Sequence, residues 1–464
     1  MRKRIMSVAL AAVLATTMMT GCSGKKETSD NGKVQLKLGI WPSEELADDV
    51  KTFQGYTKTM NKLHDNVDVV PQHYTYATDT FVSMASSGNC PTIFETWYTE
   101  PQKLIKQGLA ADITKELKAK GWDTQMSESV KELMSDEDGN IYGIPRDAYV
   151  LGVMCNVNLF EEAGLVDENG VPIFPQTMDE LAQTAKTIKD KTGAAGFCLL
   201  AKDGAGGWHF SNIAWNFGAT LCTANDDGTF TSDLDSPEAI AAMQWVYDLK
   251  WKYDVLTADP TAEDWGTGFQ QLGTGACAMY IGANDAVAQP TQVNGLAVDK
   301  LAMCAIPAGP NGDRYSLTGG TPYMFSKDAT SEEITAALDF LEIMGKSPVA
   351  NDTAIAGMKA SAADRVSNGV PVIRSFPCWT NEDFLKAEAE VVAEYANVDS
   401  KLYDEYFNNS TNVRAEEPGD AQEMYSQLTN VLQAVVTDPD CDIPALMKQA
   451  DENYQSILDE KFGN

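Results

Sequence analysis

Residues 138–165 read DGNIYGIPRDAYVLGVMCNVNLFEEAGL. Asp138-Gly139 marks a tight turn, because glycine accepts the positive φ that hairpin turns demand. Ile141, Tyr142 and Ile144 follow as a short strand. Pro145 fixes φ and lacks an N–H, so sheet pairing breaks there. Ala148 to Val153 is nearly all apolar and reads as a strand buried on both faces. Asn156 ends it, and Leu159 to Leu165 reads as a helical turn closed by a glycine, Gly164. A buried strand entered through a polar, proline-broken loop (Arg146, Asp147) is what a passage between two lobes requires.

Outward from this stretch, 464 residues make two domains the default, and a hydrophobic content of 44% is enough to fill sizeable cores. The net charge of −32 argues against a nucleic-acid partner, since the chain would approach phosphates against its own field. The amino terminus reads as an address. Arg2-Lys3-Arg4 is a positive region, and Ile5 to Met19 is an apolar run too short to span a bilayer. Met19-Thr20-Gly21-Cys22 resembles a lipobox, which implies cleavage after residue 21 and a lipid on Cys22. Residues 23–33 contain no apolar side chain and read as a flexible tether. A membrane contact through that lipid is expected, and nothing later in the chain reads as a spanning segment.

Between the tether and Ile113, strands at Val34–Ile40, Val67–Val70 and Pro91–Phe94 alternate with helices, a βαβ run that implies a mainly parallel sheet with flanking helices. Beyond residue 165, Thr177–Lys189 and Pro237–Trp251 read as helices, Gly204 to Gly207 as a flexible loop running into Trp208, and Gly275 to Gly282 as a buried strand. Leu301 to Ile306 is expected as a strand of the first lobe. Eight cysteines follow Cys22 without a CxxC pair, which excludes zinc ribbons and thioredoxin-like motifs.

The 138–165 stretch resembles the first interlobe crossing of extracellular solute-binding proteins of carbohydrate ABC transporters, the maltose-binding-protein-like group. That pattern is a hairpin, Tyr-Gly-hydrophobic-Pro, a polar loop, an apolar strand, then Asn and a Phe-x-x-Ala-Gly helix end. Cys155 stands where the group usually has Tyr. ASSGNCPTIFETW (85–97) and GLAADIT (108–114) also resemble the group, with Thr92 in place of its usual Asp. The resemblance implies an α/β, periplasmic-binding-protein-like type II fold. It would have two lobes, each with a mainly parallel β-sheet, and three crossings, near Pro145–Tyr149, Cys277–Gly282 and Gly319–Tyr323. Residues 34–146 with 282–322 would form lobe 1, and 147–281 with 323–464 lobe 2. It further implies a monomer whose lobes close on a ligand and then dock on ABC permease subunits.

Catalytic signatures are missing. The three histidines, His64, His73 and His209, show no metal-binding spacing, and no GxSxG, P-loop or GxGxxG occurs, so no metal, cofactor or enzymatic activity is expected. Asn225-Asp226-Asp227-Gly228 lacks the downstream Glu of a calcium loop. A sugar site, by contrast, wants aromatic platforms beside planar polar side chains that pair with two hydroxyls at once. Loop positions next to strand ends supply both: Trp41, Ser43 and Glu44; Glu95, Trp97, Tyr98 and Glu100; Arg146, Asp147 and Tyr149; Trp208; Asn284 and Asp285; Thr321 and Tyr323. In open α/β sheets ligands sit beyond the carboxyl ends of strands, and the resemblance places these positions in the interlobe cleft. The acidity of Glu44, Glu95 and Asp147 leaves a polyamine-type cation open as the ligand, and an extracellular glycoside-active enzyme is the remaining alternative.

Overall fold

A computed structural model describes residues 32–410 and 412–463. The lipobox and most of the tether lie outside the described residues. The strands are β1 (Val34–Leu38), β2 (Val67–Pro71), β3 (Ile93–Glu95), β4 (Gly143–Asn156), β5 (Ala195–Cys198), β6 (Cys222–Ala224), β7 (Phe230–Ser232), β8 (Cys277–Ala283), β9 (Leu301–Ala305), β10 (Ser316–Phe325) and β11 (Val413–Arg414). One sheet runs in the order β2-β1-β3-β10-β4-β8-β5, with β9 beside β4 and β11 beside β10, and β6 and β7 form a separate pair. Pairing is parallel at β1–β2, β1–β3 and β5–β8, whereas β10 and β4 run antiparallel to each other and to β3 and β8. The sheet is therefore mixed and continuous rather than two mainly parallel sheets, because the strands that join the lobes run against their neighbours.

Two hydrophobic cores hang on this sheet. The first draws on Leu36, Phe81, Phe94, Ile144, Ala148, Met324, Phe325 and the helix Ser331–Ile343. The second draws on Leu151, Val153, Phe160, Phe197, Phe210, Trp215, Tyr280, Met303, Leu317 and Tyr425. β4 thus starts in one core and ends in the other, and β10 returns in the opposite direction. Each fully buried aromatic or aliphatic side chain contributes about 1.5–3 kcal/mol, so both ends of these strands are anchored independently.

The division into lobes differs from the expected one. β8 and β9 lie wholly in the second core, because their ladder partners are the far half of β4 and, for β8, β5. Residues 282–317 therefore belong with the second lobe, and 323–344 with the first. The crossing expected at Cys277–Gly282 is not one. The third passage instead follows the helix Glu382–Tyr395, whose Phe384 enters the first core, and precedes the helix Lys401–Asn409, whose Leu402, Tyr403 and Tyr406 enter the second.

Gly204 to Gly207, expected as a loop, form the first turns of the helix Asp203–Asn216. Tertiary contact overrides the poor helix propensity of glycine here. A Cβ on Gly207 would run into the backbone of Tyr425 on the helix Ala421–Thr437, and the Gly207 N–H donates to Thr429 Oγ1 at 2.9 Å. Around Gly204 the nearest atoms to a Cβ would lie at 3.8 Å. Gly207→Ala should accordingly destabilise the protein by roughly 1–3 kcal/mol or more through overpacking. Gly204→Ala should be neutral or slightly stabilising. Thermal melting of the two variants checks this, and equal melting points would contradict the close-packing argument.

Candidate functional site

The site grows from a defect in the β4–β10 ladder. Asp147 pairs with Thr321 and Pro145 with Pro322, so the register shifts between Thr321 and Pro322 and Arg146 has no opposite residue. Neither proline has an N–H to give the ladder, and a bulge at such a point re-aims a side chain. The guanidinium of Arg146 donates from Nε to Asp147 Oδ2 (2.7 Å), from Nη1 to Glu95 Oε2 (3.0 Å) and from Nη2 to Thr321 Oγ1 (3.0 Å). Asp147 Oδ1 accepts from the Thr321 N–H at 3.2 Å, and its carbonyl accepts from the Tyr98 hydroxyl at 3.1 Å. Glu95 ends β3, so this network sits at a strand's carboxyl end, where open α/β sheets bind ligands. Burial works against the Arg146 charge, but Asp147 and Glu95 outweigh it and hold the guanidinium protonated.

Two residues further along β4, Tyr149 meets Trp208 edge-to-face at 6.5 Å, and Trp208 stacks on His209 at 5.1 Å. His209 is buried, which pushes its pKa down to about 3 and keeps the ring neutral. Asp285 follows β8, and burial together with the neighbouring Asp147 carboxylate raises its pKa to about 7, against the pull of Arg146. On the first lobe Trp97 is 46% exposed and stands edge-on to Tyr76 at 5.4 Å. The Tyr76 hydroxyl donates to Glu100 Oε2 at 2.7 Å.

Of the residues expected here, Glu95, Tyr98, Arg146, Asp147 and Thr321 form one bonded network. Tyr149 and Asp285 lie within its field, and Trp208 adjoins Tyr149. Four others are placed differently. Trp41 is buried and packs on Phe53 at 5.5 Å, and Tyr323 is 1% exposed inside the first core. Glu100 is committed to Tyr76, and Asn284 Oδ1 accepts from the Tyr406 hydroxyl at 2.8 Å. Trp41 and Asn284 follow the ends of β1 and β8, Tyr323 is paired within β10 with Glu95 and Ile144, and Glu100 immediately precedes the helix Pro101–Lys106. Ser43 Oγ accepts from the Glu45 N–H at 3.4 Å and serves a turn, and Glu44 is exposed. One acid was not foreseen. Glu416 lies beside Trp208 and Tyr425, and burial pushes its pKa up to about 7. Its local sequence, Ala415-Glu416-Glu417-Pro418, carries no motif that would single it out. A groove of about 530 Å³ between Trp122, Asn351 and Asn381 opens on the first lobe and contains none of these residues. Among the described residues no group of three or more His, Cys, Asp or Glu could hold a metal ion, and no helix is long and apolar enough to cross a membrane.

Two lobes joined by antiparallel strands, with polar and aromatic groups gathered at the junction, define a solute-binding class of protein. Residues 43–349 match the family described as bacterial extracellular solute-binding protein, and the chain belongs to that family. It is 26% identical over 356 residues to the diacetylchitobiose binding protein DasA of Streptomyces coelicolor, covering 74% of this chain and 77% of that one. An ABC transporter solute-binding protein from Thermotoga lettingae, bound to α-D-tagatose, superposes with a TM-score of 0.69 at 19% identity, covering 89% of this chain and 97% of that chain. UgpB from Mycobacterium tuberculosis, in complex with glycerophosphocholine, gives a TM-score of 0.68 at 14% identity, covering 93% of this chain and 99% of that chain. The fold is thus the α/β fold of periplasmic-binding-protein type, and it accommodates ligands of different chemistry.

Proposed function

We propose that this protein captures a sugar or oligosaccharide between its lobes and delivers it to an ABC importer without chemically altering it. The observation that carries the reading is the junction itself. Trp97 on one lobe and Trp208 on the other offer apolar ring faces, while Glu95, Asp147 and Arg146 present planar polar edges at the hinge strands. Sugars present the complementary surface, C–H faces rimmed by hydroxyls. Similarity to a diacetylchitobiose binding protein supports the same reading. The protein would act as a monomer, held outside the cell by a lipid on Cys22, with closure of the lobes presenting the loaded form to the permease. A second reading, a cationic solute such as a polyamine, is favoured by the acid excess around the junction, where Glu95, Asp147 and Asp285 act on Arg146 and Glu416 lies beside Trp208.

A thermal-shift screen with N,N′-diacetylchitobiose, maltose, tagatose and spermidine separates the two readings. Stabilisation by a saccharide alone supports the first, and stabilisation by spermidine alone supports the second. For the saccharide that binds, Trp97→Ala and Trp208→Ala should each weaken binding by about 1–3 kcal/mol in calorimetric titration. Melting without ligand should barely change for Trp97→Ala, since that ring is half exposed. Unchanged affinity in both variants would contradict the stacking role. Cys22→Ala should move the protein from the membrane fraction to the soluble one, because a lipid chain supplies the anchoring energy. Retention in membranes after a high-salt wash would rule the lipid out.

A further inference from the structure

Glu416 and Glu417 are adjacent, yet their surroundings differ. Glu417 is buried, and its Oε1 accepts from Trp215 Nε1 at 2.7 Å and from the Leu221 N–H at 3.1 Å, so it knits the second lobe together. Glu416 sits on the segment between β11 and the helix Ala421–Thr437, with the indole of Trp208 and the phenol of Tyr425 beside its carboxyl. Its Oε2 is buried and, among the described residues, no donor meets it with hydrogen-bond geometry, although the Tyr425 hydroxyl and the Trp208 indole N–H lie near enough to the carboxyl to favour its charged form against burial. The arginines of this region are spent elsewhere. Arg146 serves Asp147, Glu95 and Thr321; Arg365 Nη2 donates to the Pro371 carbonyl at 2.8 Å; and Arg414 lies over the Trp215 ring at 4.7 Å.

A buried carboxylate oxygen without a well-aligned donor is costly, and a partner that arrives with the ligand is one way to satisfy it. The position fits that purpose. Glu416 acts electrostatically on Tyr149 of β4, as do Asp285 and Asp147, and the field of Glu100 from the first lobe reaches Glu416 across the junction. The unsatisfied oxygen is therefore next to the Trp208–Tyr149 aromatic pair and within the influence of both lobes.

We infer that Glu416 is a ligand-binding residue of the cleft, its Oε2 accepting a hydrogen bond from a hydroxyl or ammonium donor on a sugar ring that lies against Trp208. This assignment rests on the solute-binding reading above and adds the residue that selects for a donor at that point of the ring. Trp208 supplies the face, Glu416 the edge, and Glu417 the support behind them.

Calorimetric titration of the protein, Glu416→Gln, Glu416→Ala and Glu417→Gln with N,N′-diacetylchitobiose, its deacetylated diamine and maltotriose tests it, with melting of the unliganded variants alongside. Both Glu416 variants should lose roughly tenfold or more in affinity for the saccharide that binds the parent best, the loss expected for a charge-assisted hydrogen bond. Glu416→Gln should melt no lower than the parent, since it removes an unpaired buried charge. Glu417→Gln should do the reverse, melting lower while its Kd stays within roughly threefold of the parent, as expected for a group that only braces the lobe. A larger loss for the diamine than for the diacetylated sugar assigns an ammonium donor, and equal losses assign a hydroxyl; both support the role. Glu416 variants that bind like the parent, or that lose stability without losing affinity, overturn it. If the parent binds none of the three saccharides, the sugar reading falls, and this assignment with it.

Discussion

The structure depends on one strand being buried in two places at once. β4 runs for 14 residues, with Ile144 and Ala148 in the first core and Leu151, Val153, Met154 and Cys155 in the second. A slip of one residue would turn every side chain to the opposite face, and here it would do so in both cores. Local contacts lock the register further. The Tyr406 hydroxyl shares its one proton between the Val150 carbonyl and Asn284 Oδ1, and a Cβ on Gly152 would run into the Cys304 carbonyl and the Tyr406 ring. Both ends of the strand are packed in a core, so bending along β4 falls on the few residues between them.

Pro145 to Tyr149 lie between Ile144 and the second core, with Ala148 the one side chain among them packed into the first core, and they carry the polar network. The opposed prolines cost the ladder hydrogen bonds, and the freed Arg146 offsets that loss by tying β3, β4 and β10 together through Glu95, Asp147 and Thr321. The point of least sheet continuity is thus also the point of greatest side-chain bonding. A hinge built this way can change angle by exchanging hydrogen bonds for ligand contacts without disturbing either core. Asp285 and Glu416, both raised toward neutrality by burial, add acidic groups on the second lobe that the one cation at the bulge does not pair with directly.

Much of this was legible in the chain. The crossing at β4 was, because a polar break inside an apolar strand has few other uses, and the βαβ run of the first lobe followed from alternating patterns. The apolar run at β8 misled, since a strand buried within one lobe and a strand that crosses between lobes carry the same hydrophobic signal. The passage after Tyr395 carries no periodic pattern and left no trace. Gly204 to Gly207 looked like a loop because the reason for those glycines is the backbone of Tyr425, which lies more than two hundred positions away. At the site, Arg146 and Asp147 were legible from their setting. The burial of Tyr323 and Asn284 was not, because it depends on what packs over the strands from distant parts of the chain. Glu416 could be recognised only against its neighbour Glu417, once both sets of partners were known.

Two independently cored lobes, joined by strands broken at Pro145–Tyr149 and the β10 segment opposite, should close over a solute. Small-angle X-ray scattering of the protein with and without a saturating saccharide tests this most directly, with circular dichroism as the control for secondary structure. The radius of gyration should fall with ligand while the dichroism spectrum stays unchanged, as hinged closure removes cleft volume without remodelling either lobe. An unchanged radius at full saturation would contradict it.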